Sequence, residues 1–226
     1  MFSNLELLRN IVSKYLGKAS ITENVLSADI KKMSFRKEWQ FVVNKLVSET
    51  QNEMRAMLFD IEINKWWHSI EGQNYMLINL ELIKKGVIIK RIFILSSTDA
   101  KVRMETLLTA YVHYKLGVDV RVCNNTDLRE MLPFEADMFS VHDNIFIAMY
   151  HFASEPAIVE TILDGRYISD FILFYDELFN DDRVCRKINE MIKCFECDRS
   201  FFESAKTQLA LLKRLNRSIL HEIENN

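Results

Sequence analysis

The sequence predicts an α/β domain: a central mixed, largely parallel sheet flanked by helices, with an N-terminal helix and a C-terminal helical extension. Three observations predict it. Only five Gly and two Pro punctuate the 226 residues, which favours long helices over an all-β plan. Val87 to Leu95 (VIIKRIFIL) is a β-branched and aromatic run bounded by Gly86 and Ser96-Ser97-Thr98-Asp99, the pattern of a central strand buried on both faces. Around it the chain alternates strand, helix, glycine, strand, helix, glycine, strand, which is the rhythm of βαβ units with parallel strands.

Taken in order, Leu5, Leu8, Val12 and Tyr15 fall on one helical face, and Gly17 is a stop. The polar stretch from Lys18 to about Lys37 has weak periodicity and reads as a linker. Trp39, Val42, Val43 and Leu46 restart the helical period. Arg55 to Ile61 reads as a short buried strand, followed by Trp66-Trp67-His68 and a helix carrying Tyr75, Ile78, Leu82 and Ile83 to Gly86. After the central strand, Met104, Leu107, Leu108 and Tyr111 mark a helix ending at Gly117, and Val118 to Val122 alternates as a half-buried strand. Met138 to Val141 and Ile145 to Tyr150 read as two strands around a turn at His142-Asp143-Asn144, with one uninterrupted strand as the alternative. Ile158 to Ile162 suggests an edge strand. Phe171, Phe174, Tyr175 and Leu178 define a helix; Val184, Ile188, Met191, Ile192 and Phe195 define the next.

In the last helix Phe202, Ala205, Leu209, Leu212, Asn216, Ile219 and Ile223 repeat at alternating spacings of three and four. That is a heptad seam with Asn216 at an a position, the device that sets register in coiled coils. Leu209, Leu212, Asn216 and Ile219 are therefore the candidate oligomerisation residues. The other reading is that this helix packs back on its own domain, since ordinary amphipathic helices imitate a short heptad run.

Composition narrows the function classes. Hydrophobic residues make up 49% and charged residues 27%, ordinary globular usage with ample aromatic bulk for a core. A net charge of −3 argues against a protein held on nucleic acid by overall electrostatics. The scatter of Cys123, Cys185, Cys194 and Cys197 is not a secreted disulfide framework. Cys194 and Cys197 have the C-x-x-C spacing of a redox or zinc half-site, but no second pair or His-rich segment accompanies them. They read as helical structural cysteines, and no metal or cofactor is expected. The N-terminus has acidic and polar residues inside its apolar stretch, unlike a signal peptide, and no apolar run approaches the ~20 residues that cross a bilayer. The expected location is cytoplasmic.

Several residues are candidates for a site. Trp66-Trp67-His68 follows the first strand at its C-terminal end, where α/β folds place ligands. Two adjacent Trp on one element are not expected to point inward together, so one is expected to be partly exposed, as a wall for a ligand or an anchor for a partner; the other reading has both capping the core. Ser96 and Ser97, with Thr98 and Asp99, open a helix whose free N–H groups suit an anion, although Asp99 as N-cap explains the stretch simply. Lys84-Lys85 and Lys90-Arg91 read as a solvated basic face, and Asp176, Glu177, Asp181 and Asp182 as surface acids. His113-Tyr-Lys115 with Asp119 beyond it reads as a coincidence.

A helix ending in Ile83-Lys84-Lys85-Gly86, then VIIKRIFIL, a second helix to Lys115-Leu116-Gly117, then VDVRV resembles one half of a phospholipase-D-like domain, over roughly Met54 to Asp182. In that family a strand follows that carries H-x-K-x₄-D. Here the corresponding stretch reads Val141-His142-Asp143-Asn144-Ile145-Phe146-Ile147-Ala148-Met149. The resemblance puts His142 at the nucleophile position, Asn144 in place of the lysine and Met149 in place of the acid. Attack on phosphorus needs a positive charge beside the imidazole to neutralise the phosphoryl oxygens, and a neutral amide contributes none. The resemblance thus implies a degenerate site, in a regulatory or sensor module of a kind found in bacteria.

The sequence divides as 1–37, an N-terminal helix and linker; 38–182, the α/β core; and 183–226, a C-terminal helical extension. The leading expectation is a non-catalytic regulatory or protein-interaction module, homodimeric through the last helix or docked on a protein partner. The second is a phosphodiesterase or nuclease using His142 with a second histidine from another subunit. The third, less favoured, is a nucleic-acid-associated regulator.

Overall fold

The computed structural model describes residues 31–34, 47, 50–59, 66–124, 128, 136–151, 158–162, 165–193 and 199–224. The expected N-terminal helix around Leu5 to Tyr15, the helical stretch from Trp39 and the Cys194–Cys197 pair lie outside them.

Among the described residues, eight strands form one sheet: β1 (Lys31–Ser34), β2 (Glu53–Phe59), β3 (Ile88–Ile94), β4 (Asp119–Cys123), β5 (Met138–His142), β6 (Phe146–His151), β7 (Ile158–Ile162) and β8 (Cys185–Lys187). Their order across the sheet is β1-β7-β6-β5-β2-β3-β4-β8. The predicted βαβαβ unit is present. β2, α1 (Ile70–Lys84), β3, α2 (Ala100–Lys115) and β4 follow one another, and the three strands pair in parallel. Gly86 and Gly117, just past the two helices, hold φ of 90° and 98°, the left-handed conformation that a residue with a Cβ resists. Asp99 caps α2 by accepting from Lys101 N and Val102 N.

The sheet is nevertheless mostly antiparallel rather than largely parallel. Only β2–β3 and β3–β4 run parallel; the other five pairings are antiparallel. The continuous apolar runs misled because helices cover both faces, and an antiparallel strand buried on both sides shows the same composition as a parallel one. The short connection between β5 and β6 also forbids a parallel pairing, which needs a long crossover.

Two strands come from unexpected places. β1 falls in the stretch read as a linker and pairs with β7, so Ile158–Ile162 is not an edge. β8 arises from the stretch around Val184 read as helix. Asp181 turns the chain there, its carbonyl accepting from Val184 N and Cys185 N, and Cys185–Lys187 pairs with β4 before the short helix α4 (Ile188–Ile192) begins. A three-residue strand is too short to show a period.

Two apolar layers sandwich the sheet. On one face Met54, Ala56 and Leu58 of β2 and Ile89 and Phe93 of β3 pack beneath α1, α2 and the long last helix α5 (Arg199–Glu224). On the other, Met57, Phe59, Ile92 and Ile94 pack beneath α3 (Gly165–Asn180), which buries Tyr167, Phe171, Phe174 and Leu178. Among the described residues no helix is long and apolar enough to cross a membrane.

Candidate functional site

The hairpin tip between β5 and β6 carries His142, Asp143 and Asn144, the stretch that the resemblance sets against H-x-K. His142 O accepts from Ile145 N at 2.9 Å, and Asp143 and Asn144 between them hold φ of 47° and 60°. Positive φ at both central positions defines a type I′ turn, for which Asp and Asn are among the best-suited residues after Gly. The sequence Asp143-Asn144 is therefore explained by the turn before any chemistry is invoked.

His142, Asp143 and Asn144 each fasten this tip to β2 or the residues just before it. The His142 ring is 1% exposed. Its Nδ1 lies 2.8 Å from Thr50 Oγ1 and its Nε2 lies 2.9 Å from Ser140 Oγ. A neutral imidazole has one donor and one acceptor nitrogen, so one hydroxyl donates to the ring and the other accepts from it. Phe146 stacks on the ring, centroids 4.7 Å apart and planes 14° apart. Burial drives the His142 pKa down to about 3; the nearby Asp143 carboxylate opposes this and Arg91 adds to it. The ring is neutral at neutral pH. The Asp143 carboxylate accepts from three consecutive backbone N–H groups: Gln51 at 2.6 Å, Asn52 at 2.8 Å and Glu53 at 2.9 Å. Asn144 Oδ1 accepts from Arg55 Nη1 at 3.0 Å.

A cation thus stands beside the position where the family carries lysine, on Asn144 rather than on the ring. Its charge is already matched. Arg55 Nε and Nη2 donate to Asp176 at 2.9 and 3.2 Å, and Nη2 also lies 2.9 Å from Glu53, which Lys90 approaches at 2.8 Å. Two cations and two carboxylates close a neutral network. Arg55 and Asp176 lie on the α3 side of the sheet, whereas His142 shares the opposite face with Met138 and Ser140. Met149, at the acid's position, packs in the α3-side core. The residues that should converge on a phosphate are divided between the two faces.

The other predicted residues are scattered. Trp66 and Trp67 are both buried, 8% and 6% exposed, so neither presents an open aromatic wall. A sharp helical turn lets them meet edge to face at 4.6 Å and both reach Tyr75. Only His68 beside them is exposed. Ser96 and Ser97 are half-buried after β3; Ser97 Oγ accepts from Asp99 N, and Ser97 O from Arg103. Leu212, like Phe201 and Ala205 earlier in α5, is buried in the chain's own core, and Leu209 packs partly against it. Asn216 and Ile219 lie further along the same helix, their side chains outside the described ones.

Two residues that sequence reading set aside occupy the centre of the helical face. Arg91, expected on a solvated face, is fully buried, and His113, read as part of a coincidence, is fully buried against it. The Arg91 Nη1 and His113 Nδ1 are 2.6 Å apart. The guanidinium also sits over the Trp67 and Tyr75 rings at 5.5 and 5.8 Å. The signal was available: in a strand buried on both faces, Arg91 must share a side with Ile89 and Phe93.

No protein-family model matches the sequence, and no curated protein matches it either. Among solved structures, the fold is similar to that of a phospholipase D family member, Nuc from Salmonella typhimurium, at 11% identity and a TM-score of 0.45, covering 66% of this chain and 92% of that one. It is similar to phosphatidylserine synthase from Haemophilus influenzae at 9% identity and a TM-score of 0.46, covering 86% of this chain and 46% of the synthase. A third likeness is to TrmBL2, an archaeal chromatin protein with a novel mode of DNA binding, at 12% identity and a TM-score of 0.39, covering 76% of this chain and 64% of that one.

Proposed function

We propose that this chain is a non-catalytic regulatory or interaction module on a phospholipase-D-like plan, in which the position of the nucleophile has become a structural clasp. One observation carries the reading: both nitrogens of the buried His142 ring are engaged by the hydroxyls of Thr50 and Ser140. A nucleophilic imidazole needs a free lone pair facing its substrate and a positive charge to stabilise the phosphoryl oxygens. Here the ring stacks on Phe146, and the neighbouring Arg55 is neutralised by Asp176 and Glu53. Loss of such electrostatic support costs a few kcal/mol in the transition state.

The test is hydrolysis of bis-p-nitrophenyl phosphate by the full chain. The expected rate is the buffer rate, equal in wild type and His142→Ala. A rate above background in the wild type that disappears in that variant establishes a phosphodiesterase and ends this reading.

A further inference from the structure

Arg91 poses an electrostatic problem that the fold leaves unsolved. It is fully buried, and among the described residues its Nε and Nη2 make no close hydrogen bond and no carboxylate pairs with it; only the Tyr75 hydroxyl offers it further polar support. An unpaired buried guanidinium costs several kcal/mol, and rings over its face compensate only part of that. Its closest polar contact, to His113, fixes the chemistry of what lies beyond. A guanidinium carries donors only, so the 2.6 Å contact obliges His113 Nδ1 to accept and places the ring proton on Nε2. Among the described residues that Nε2–H is buried and unpartnered, and so is the Nε1–H of Trp67, whose ring meets His113 edge to face at 4.5 Å.

Both side chains line one cavity of about 60 Å³ between α1, α2 and α5. By the usual ~10–15 Å³ per ordered water, it holds about four to six small groups. Its wall therefore offers two unsatisfied N–H donors backed by a permanent positive charge, and it takes an acceptor that bears negative charge. Met76, Val112 and Leu212 give the remaining lining an apolar wall, Gln73, Thr109 and Gln208 give it polar groups, and the exposed Leu211 and His68 mark the mouth.

We infer that this cavity binds a short-chain carboxylate: the carboxylate accepts from His113 Nε2–H and Trp67 Nε1–H, Arg91 supplies the balancing charge through His113, and the aliphatic tail rests on the apolar wall. The inference stands independently of the inert hairpin, because it draws on different side chains and a different opening.

Thermal unfolding of the full chain is measured with sodium butyrate, sodium phosphate and the neutral isostere n-butanol, against sodium chloride at equal ionic strength. Butyrate is expected to raise Tm in a saturable way and to shift one indole N–H resonance, while n-butanol and phosphate leave both at the chloride value. Arg91→Met keeps the fold, because an apolar side chain of similar length relieves a buried unpaired charge, and weakens butyrate binding about tenfold or more. Gln208→Trp, which fills the cavity from a half-exposed position on α5, abolishes binding without lowering the unliganded Tm and covers the case in which Arg91→Met does not fold. No butyrate effect beyond chloride, an equal effect of n-butanol or phosphate, or an undiminished effect in Gln208→Trp overturns the assignment.

Discussion

Replacing Asp143 with Asn separates the clasp from the turn it sits on. Asparagine tolerates the left-handed conformation as aspartate does, so the I′ geometry is retained. What is lost is one acceptor and the charge. Asp143 Oδ1 serves Asn52 N and Glu53 N while Oδ2 serves Gln51 N; an amide leaves one of these sets facing its own N–H. Charge-assisted bonds contribute roughly 1.5–3 kcal/mol each where buried. Two of the three here are solvent-exposed, and screening reduces the sum to about 2 kcal/mol. Urea unfolding at pH 7 should therefore show Asp143→Asn less stable by about 2 kcal/mol with an unchanged m-value. Burial raises the Asp143 carboxyl, but the N–H groups of Gln51, Glu53 and Asn52 together with His142 outweigh it and leave its pKa below the ordinary carboxylate value. A carboxylate depressed on folding stabilises above its unfolded pKa, and that contribution is lost as pH falls through the folded value. The gap between variant and wild type should therefore narrow below about pH 4. A difference under about 0.5 kcal/mol at pH 7, or a gap unchanged at pH 3, would refute the clasp.

Further outcomes follow from the same structure. His142 and His113 are both held neutral, chiefly by burial, so their stabilisation is complete above about pH 6.5 and declines as the unfolded chain takes up protons below it. Between pH 6 and 5 stability should fall by up to about 2.7 kcal/mol per unit, and His142→Gln should halve that slope in urea titrations; an unaltered slope contradicts the neutral buried ring. A Cβ at Gly72 would collide with the backbone of Trp66, which cannot give way as a flexible side chain does. Gly72→Ala should cost about 2 kcal/mol in thermal unfolding, and a neutral effect contradicts the tight seat of the two tryptophans. Phe201→Ala should cost about 3 kcal/mol with a midpoint independent of protein concentration, because Phe201 is buried in its own core. A concentration-dependent midpoint instead favours the seam of α5 as an interface between copies.

Much of this architecture was legible because it rests on local rules. Gly86 and Gly117 stop their helices where the sequence places them, Asp99 caps α2, and Asp143-Asn144 turns the hairpin. Strand direction was less legible, since burial on both faces erases the compositional difference between parallel and antiparallel neighbours. β1 and β8 are four and three residues long, too short for a period, and they join the sheet only because strand edges are already waiting for them. The sequence singled out His142 only through the resemblance, and its engagement could not be read there at all: Thr50 lies 92 residues away in sequence. Arg91 and His113 meet across 22 residues, and charge alone pointed Arg91 outward. Alternation along β3, followed strictly, placed Arg91 inside.

The most direct measurement is a pH titration of the His142 imidazole by heteronuclear NMR, its resonances identified by their loss in His142→Gln. A ring locked between two hydroxyls should stay neutral, in a single tautomer, from pH 8 to below pH 4.5, with a midpoint at about 3. A midpoint near the ordinary histidine value of about 6.5, together with ring signals that move on addition of a phosphodiester, would show an accessible and chemically competent imidazole and contradict the clasp.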